Sequence, residues 1–250
     1  MSDNWDSYPF MADDAPGTNL VDLGIAEVAP IAELGEIAYL QLTLCKPTED
    51  GLSSDEEFER LCEVEDALTA AGQELGNVIN VGRTTTAGNR TFYFYTANGA
   101  AAEECLTQAM TAFAEYEFKV GFQDDPQWSI YTEFLYPNDF QMKLIQNSRV
   151  LRQLEEAGDN FEIPRHVAHW IYFANAAGRD KFRQAVEAEG FELVEQHDQA
   201  EGDLALALCV RNMTTIDFPT IFDLVMELSE LAEACQGEYD GWETSVERGE

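Results

Sequence analysis

The sequence predicts an α+β protein of two domains, each with the element order β-α-β-β-α-β. Three observations predict it. Short runs alternate apolar and polar residues, which is typical of half-buried strands. Longer runs between them repeat apolar residues at helical spacing. The same order of runs occurs twice within 250 residues, a length that suits two domains. This order is the ferredoxin-like pattern.

The first domain is predicted over residues 18–137, behind a flexible N-terminal arm at 1–17. Alternation in residues 37–45 predicts a strand, and the Gly88–Asn89 pair supplies the backbone freedom of a hairpin turn. The predicted strands are 19–26, 37–45, 77–83, 91–97, 117–123 and 128–135, and the predicted helices begin near residues 54 and 100.

A connecting helix is predicted over residues 138–159, because Pro137 ends the first domain and Gly158 stops the helix. The second domain is predicted over 160–250. Its strongest helix, at 217–236, carries an apolar stripe at helical spacing. Its other predicted elements are strands at 166–174, 190–196, 203–211 and 238–247 and a helix at 177–189.

The charge balance is strongly acidic, with 48 acidic and 14 basic residues and a net charge of −34. The excess is spread over both halves: 29 acidic against 8 basic residues precede residue 160, and 19 against 6 follow. Phosphate-rich partners are repelled by such a surface, so direct nucleic-acid binding and binding to anionic membranes are disfavoured. A basic protein partner is favoured. Solubility alone is an equally good explanation of the charge.

The cysteines and termini indicate a cytoplasmic protein. There are five cysteines, none in CxxC spacing, which is typical of reduced thiols. The acidic N-terminal stretch lacks the pattern of a signal peptide. No run of about 18 apolar residues is present that would span a membrane.

No pattern in the sequence predicts catalysis. His166 and His169 fall on opposite faces of a strand, which is poor geometry for sharing one metal ion. Acidic clusters are expected to be solvated faces. Gly-rich phosphate loops and GxSxG are missing. We therefore expect no catalytic residue, no metal site and no cofactor, and a protein that is not an enzyme.

Aromatic residues on the predicted strands define two candidate exposed sheet faces. The first carries Tyr39, Tyr93 and Tyr95, and the second carries Trp170 and Tyr172. Aromatic side chains on an open sheet can stack RNA bases, but the negative charge opposes RNA binding. The favoured alternative is that these faces are covered, by each other or by the N-terminal arm, because large exposed aromatic patches are uncommon.

The closing segment carries a family resemblance. Glu238, Tyr239, Asp240, Gly241 and Trp242, with Thr244, resemble the signature end of the RraB family, the regulators of ribonuclease E activity B. This resemblance covers residues 160–250. Residues 5–137 resemble a bacterial family of unknown function that often precedes RraB-like domains; the matching stretches are GLSSDEEFERLCEVEDAL, VGRTTTAGNRTFYFYTA and DDPQWSIYTEFLYP.

The RraB resemblance implies a function by protein contact. RraB proteins are small, acidic and cytoplasmic, have a ferredoxin-like fold, and bind ribonuclease E to restrain its activity. The resemblance therefore implies that this protein regulates RNA decay and that its partner is a protein, namely a ribonuclease with basic segments. Two alternatives stay open: an adaptor or immunity-type module with an unrelated basic partner, and a small-molecule binder with a site between the domains. A homodimer is also compatible with the sequence.

The motif has two interpretations. In the first it is a fold signature: Gly241 allows a turn or bulge, Trp242 packs into the core, and Asp240 bonds to backbone amides. In the second its side chains contact the partner directly.

Overall fold

The residues that the structure describes form two separate β-sheets with helices, which confirms the mixed α+β class. The computed structural model describes residues 2, 4–12, 15–198 and 204–249. It divides into two units, Met1–Met142 and Lys143–Glu250. Of the expected domain bounds, residues 1 and 250 lie outside the described residues.

The first unit contains a six-stranded sheet in the order β1-β2-β4-β5-β3-β6. Its strands are β1 (Trp5–Ala12), β2 (Ala15–Asp22), β3 (Glu36–Thr43), β4 (Val78–Thr86), β5 (Asn89–Thr96) and β6 (Phe118–Asp124). Its helices are α1 (Asp55–Leu75) and α2 (Gly99–Ala109). Both helices contribute to one apolar core with β3 and β5, because alternate strand residues such as Leu40 and Phe92 and helical residues such as Leu61 and Leu106 are buried together.

The N-terminal segment corrects one expectation. In its described part the predicted flexible arm, 1–17, contains the strand β1, which pairs antiparallel with β2. Tyr8 anchors it: the side chain is buried, and its hydroxyl donates to the Leu135 carbonyl and accepts from Asn19, both at 2.8 Å. Residues 13 and 14, between the strands, lie outside the described residues. β2 also ends earlier than predicted, and a 3₁₀ helix occupies Leu23–Glu27.

The prediction of a strand at residues 128–135 is wrong. Residues Ile130–Leu135 form a π-helix instead. Asp125 organises its start, because its carboxylate accepts hydrogen bonds from the backbone N–H groups of Ser129 at 2.8 Å and Ile130 at 3.0 Å. Tyr131 and Leu135, four residues apart, are both buried. This spacing puts both on one side of a helix, although the alternation of the sequence fits a strand equally well.

The second unit contains a four-stranded sheet in the order β10-β7-β9-β8. Its strands are β7 (Arg165–Phe173), β8 (Glu192–Asp198), β9 (Leu206–Thr214) and β10 (Gly237–Thr244). Its helices are α4 (Ala176–Ala188) and α5 (Phe218–Ala234), and helix α3 (Asp139–Glu156) contains the division between the units. The predicted start of β9, residue 203, lies outside the described residues.

The sequence sets where the helices of the second unit begin. The Asn175 side chain accepts a hydrogen bond from Gly178 N at 2.8 Å at the start of α4, and Asp217 accepts from Thr220 N at 3.2 Å at the start of α5. Such side chains satisfy N–H groups that have no partner within the helix. The apolar side of α5, with Val225 and Leu228, then packs in the core of this unit.

Candidate functional site

The motif resembling RraB lies on β10, at an edge of the second sheet. β10 pairs antiparallel with β7, and the register shifts between Tyr239 and Gly241, which is a β-bulge. The backbone of Gly241 does not have a positive φ. A Cβ added at this glycine would meet no atom within 4 Å. Glycine at 241 therefore leaves open space beside the bulge and is not demanded by backbone strain.

The bulge divides the motif into inward and outward residues. Trp242 faces the helices, is 8% exposed, and packs with Leu151 and Val167. Its indole Nε1 donates to Asn147 Oδ1 on α3 at 2.8 Å. Tyr239 is half-buried on the same side. The inward residues thus tie the edge strand to the core.

The outward residues of β10 are mostly acidic. Glu238, Asp240 and Glu243 are exposed. Glu243 accepts a hydrogen bond of 3.2 Å from the indole of Trp170 on β7. Thr244 donates to the His166 carbonyl at 2.8 Å, which holds the end of β10 to β7. The exposed carboxylates are placed where a partner could reach them.

On the inward side of β10, Tyr239 of the motif contacts the buried side chain of His169. His169 is fully buried, and its Nδ1 lies 2.8 Å from the Tyr239 hydroxyl. Burial lowers the pKa of His169 to about 4 and raises the pKa of Tyr239. His169 is therefore neutral at pH 7. His166 is exposed, so the two histidines of the HxxH pattern point to different environments.

A cavity of about 300 Å³ lies beside the motif. It is lined by Gln146, Asn147, Arg149 and Val150 of α3, Val225 of α5, and Tyr239, Asp240, Gly241 and Trp242 of β10. Sequence reasoning missed Asn147. A signal was present: Leu144, Leu151 and Leu154 form an apolar stripe on α3, and Asn147 interrupts it at helical spacing. A polar residue within such a stripe indicates a specific buried hydrogen bond.

Family comparisons match both parts of the chain. The model of a family of unknown function, DUF695, matches residues 3–136, more than half of the sequence. The chain belongs to the DUF695 family. A second model, Regulator of ribonuclease activity B (RraB), matches residues 144–244 of this DUF695 protein, a range that contains the cavity and the motif. Both resemblances seen in the sequence are confirmed.

Comparisons with whole proteins add little for this DUF695 protein. An unknown protein from Galdieria sulphuraria aligns at 9% identity over 85% of this chain and 99% of its own, with a TM-score of 0.24. A putative glycine cleavage system transcriptional repressor aligns at 10% identity over 84% and 98%, with a TM-score of 0.26. Scores this low support no conclusion about fold or function. No curated protein matches the chain.

The first candidate sheet face belongs to the DUF695 region, and it is largely covered. Tyr39 is 37% exposed, but Tyr95 is fully buried, so the prediction that Tyr95 lies on an exposed face is wrong. The Tyr95 ring stacks on Trp128, with centroids 3.9 Å apart. Tyr93 is half-buried and meets Phe134 of the π-helix edge to face. The turn and π-helix that follow β6 therefore cover this part of the face.

The second candidate face, in the RraB-matched region, is more open. Trp170 and Tyr172 are half-buried. Trp170 has two polar neighbours: its ring meets His197 edge to face, and its indole N–H donates to Glu243. This face presents aromatic and acidic groups together. Within the described ranges no helix is long and apolar enough to cross a membrane, and no group of three or more acidic, histidine or cysteine side chains is placed to hold a metal ion.

Proposed function

We propose that this protein is an acidic, cytoplasmic regulator that binds a ribonuclease or an RNA-decay assembly by direct protein contact, without catalysis of its own. The observation that carries the proposal is the RraB match over residues 144–244, which include every strand of the second sheet. The matched family is named for regulation of ribonuclease activity.

The charge supports the same proposal. A ribonuclease binds RNA through basic segments, and a protein of net charge −34 attracts such segments. The exposed carboxylates of Glu238, Asp240 and Glu243 concentrate acidity on the motif strand. Opposite fields raise the association rate, and salt screens them.

We further propose that each unit contains a ferredoxin-like domain, one within 18–137 and one within 160–250, with residues 138–159 as a connecting helix. Strand order supports this. Within β3–β6 and within β7–β10, the first and third strands lie side by side, and the fourth strand borders the first. Helices follow the first and third strands in both cases. A homodimer through the sheets stays a prediction.

Binding to a ribonuclease E scaffold region from the same organism tests the function. We expect tight binding at about 0.01 M salt that weakens steeply by about 0.15 M, as the Debye length falls from about 30 Å to about 8 Å. Isothermal titration calorimetry would measure both affinities. Failure to bind even at the lower salt would overturn the proposed function.

A pair of charge variants tests which surface binds. The triple substitution Glu238→Gln, Asp240→Asn and Glu243→Gln removes three charges from β10. The control Glu227→Gln, Glu230→Gln and Glu233→Gln removes three exposed charges from α5. Both variants have the same net charge. We expect a larger loss of affinity from the β10 triple, and equal losses would show that only the overall charge matters.

A further inference from the structure

The second sheet carries a tryptophan on the face turned away from the helices of its unit. Those helices pack on the other face, where Ile171 and Phe173 of β7 are buried. Because side chains alternate along a strand, Trp170 projects from the opposite face, and it is half-buried there. Its neighbours in the register are Gly241 on β10 and Cys209 on β9, both of them small. Trp170 is thus the large side chain in the middle of this face.

Acidic side chains lie on both sides of this tryptophan. On the β10 side, Glu243 is exposed and accepts a hydrogen bond of 3.2 Å from the indole N–H of Trp170. On the β8 side, Glu195 is opposite Cys209 in the register, and its side chain is 56% exposed. Burial raises the pKa of the Cys209 thiol to about 11, and the carboxylates of Glu243 and Glu195 add to this shift. Both carboxylates are therefore close to the residue that neighbours Trp170.

Three carboxylates of this face lack a basic partner within the described parts of the chain. No lysine or arginine there forms an ion pair with Glu195, Glu238 or Glu243. Glu195 has the imidazole of His197 beside it, 3.2 Å away, and that ring is charged only when protonated. Arg211, which also lies on this face, already forms an ion pair of 2.8 Å with a carboxylate of β8. A cation brought by another molecule therefore meets accessible negative charge.

The aromatic ring indicates which cation fits. The face of an indole attracts a cation, and the planar guanidinium of arginine stacks on it, whereas the ammonium of lysine is a point charge. A stacked guanidinium keeps its N–H groups free at its edge. Glu243, which contacts the indole N–H of Trp170, is placed to accept them. A nucleobase would stack on the same ring, but its phosphates would be repelled by the carboxylates.

We propose that the Trp170 face, which comprises Trp170, Glu195, Glu238 and Glu243, binds an arginine side chain of the basic partner. The guanidinium stacks on the indole ring and pairs with the Glu243 carboxylate, while Glu195 and Glu238 add to the local negative field. The inference rests on the proposed function and names both the surface that binds and the group that the partner supplies.

Two substitutions of aromatic residues test the site. Trp170→Leu removes the indole and leaves every charge in place, whereas Tyr39→Leu, at a 37% exposed tyrosine of the first sheet, is the control. Affinity for the ribonuclease E scaffold region would be measured by calorimetry, with thermal unfolding as the check on folding. We expect Trp170→Leu to weaken binding by roughly fivefold, the size of a cation–π contact, and Tyr39→Leu to leave it unchanged.

Two peptides of equal charge separate the recognition of arginine from overall charge. Hexa-arginine and hexa-lysine experience the same field of the protein, so a difference between their affinities is due to the guanidinium groups. We expect the unaltered protein to bind hexa-arginine roughly fivefold more tightly than hexa-lysine, and Trp170→Leu to lose most of this preference. An undiminished preference in Trp170→Leu would overturn the site.

The outcomes distinguish the site from the function. If the unaltered protein binds the scaffold region and Trp170→Leu binds it equally well, the arginine site is overturned and the proposed function stands. If the unaltered protein does not bind the scaffold region, the function fails, and the peptide comparison alone decides whether the Trp170 face recognises arginine.

A measurement on the unaltered protein covers the case in which Trp170→Leu does not fold. Titration with hexa-arginine would be followed by NMR at the indole N–H of Trp170, with the indole of Trp128, buried in the first unit, as reference. A shift at Trp170 that hexa-lysine does not reproduce supports the site. Equal shifts with both peptides, or an unchanged Trp170 signal at saturation, overturn it. A shift caused by single-stranded RNA but not by hexa-arginine overturns it as well.

Discussion

The ionisation of His169 bears on the stability of the second unit. This residue lies inside the second unit, in contact with Tyr239 and Phe191, and burial lowers its pKa from 6.5 to about 4. Between pH 6.5 and about 4, His169 is therefore protonated in the unfolded chain but neutral in the folded chain. The stabilisation due to a neutral His169 is fully present above pH 6.5 and is lost as the pH falls through about 4.

We therefore expect acid to destabilise the unaltered protein more than His169→Gln. Between pH 7 and pH 4 the difference in the free energy of unfolding between the two should shrink by roughly 3 kcal/mol, since one pKa unit corresponds to about 1.4 kcal/mol. Urea unfolding at several pH values would measure it. Both proteins contain the same carboxylates, so their titration cancels in the difference, and a constant difference would contradict the prediction.

At the scale of elements, the turn from β6 into the π-helix is held by one side chain. Asp125 accepts hydrogen bonds from Ser129 N, Ser129 Oγ, Ile130 N and the Tyr95 hydroxyl. These bonds hold the segment whose Trp128, at φ +57°, stacks on Tyr95. Burial alone would raise the pKa of Asp125, but the hydrogen bonds outweigh it and lower the pKa.

Asp125→Ala should release this segment. We expect a loss of roughly 2–3 kcal/mol in the free energy of unfolding, because one buried and three partly buried donors lose a charged acceptor. The near-ultraviolet circular dichroism of the folded protein should also weaken as Trp128 and Tyr95 separate. Asp124→Ala, one residue earlier and at an exposed carboxylate, is the control. An unchanged spectrum in Asp125→Ala would show that stacking does not depend on the carboxylate.

The elements differ in how far the sequence could predict them. Helix α5 could be predicted, because its apolar stripe of Ile221, Val225 and Leu228 is visible within one short stretch of sequence. The burial of Tyr95 could not, because alternation assigns Phe94 and Tyr95 to opposite faces of the sheet but does not show that the segment after β6 covers the face of Tyr95. β1 was missed for the same reason: Tyr8 is stabilised by Leu135, a residue distant in sequence.

The candidate site was predictable in part. The motif residues could be found from their resemblance to RraB. The cavity could not, because it forms only where α3, α5 and β10 meet. Asn147, the polar residue within an apolar stripe, was the one signal for it in the sequence.

At the scale of the whole molecule, the dominant quantity is the net charge of −34. Like charges on a compact surface repel each other, and unfolding relieves that repulsion. Salt screens the repulsion and so stabilises the fold, while it weakens attraction to a basic partner. The two effects of salt therefore run in opposite directions.

We expect the Tm of the protein to rise with salt. Between about 0.01 M and about 0.5 M sodium chloride an increase of several degrees is expected, since about 1 kcal/mol moves Tm by about 2–4 °C in a chain of this size. Calorimetry at constant pH would measure it, with the uncharged osmolyte sucrose at the same osmolality as control. A Tm that stays constant or falls would show that local ion pairs outweigh the overall repulsion.

The position of β10 has a consequence for synthesis on the ribosome. β10 comes last among the strands of its sheet, yet it borders β7, the first, and Trp242 bonds to Asn147, 95 residues earlier. The strands of the first sheet have all been translated by residue 124. The second sheet lacks an edge until translation passes Thr244, and contacts this distant form slowly. Nascent chains therefore contain a complete first sheet before the second one is complete, and apolar surface that β10 covers in the folded unit stays exposed during that interval.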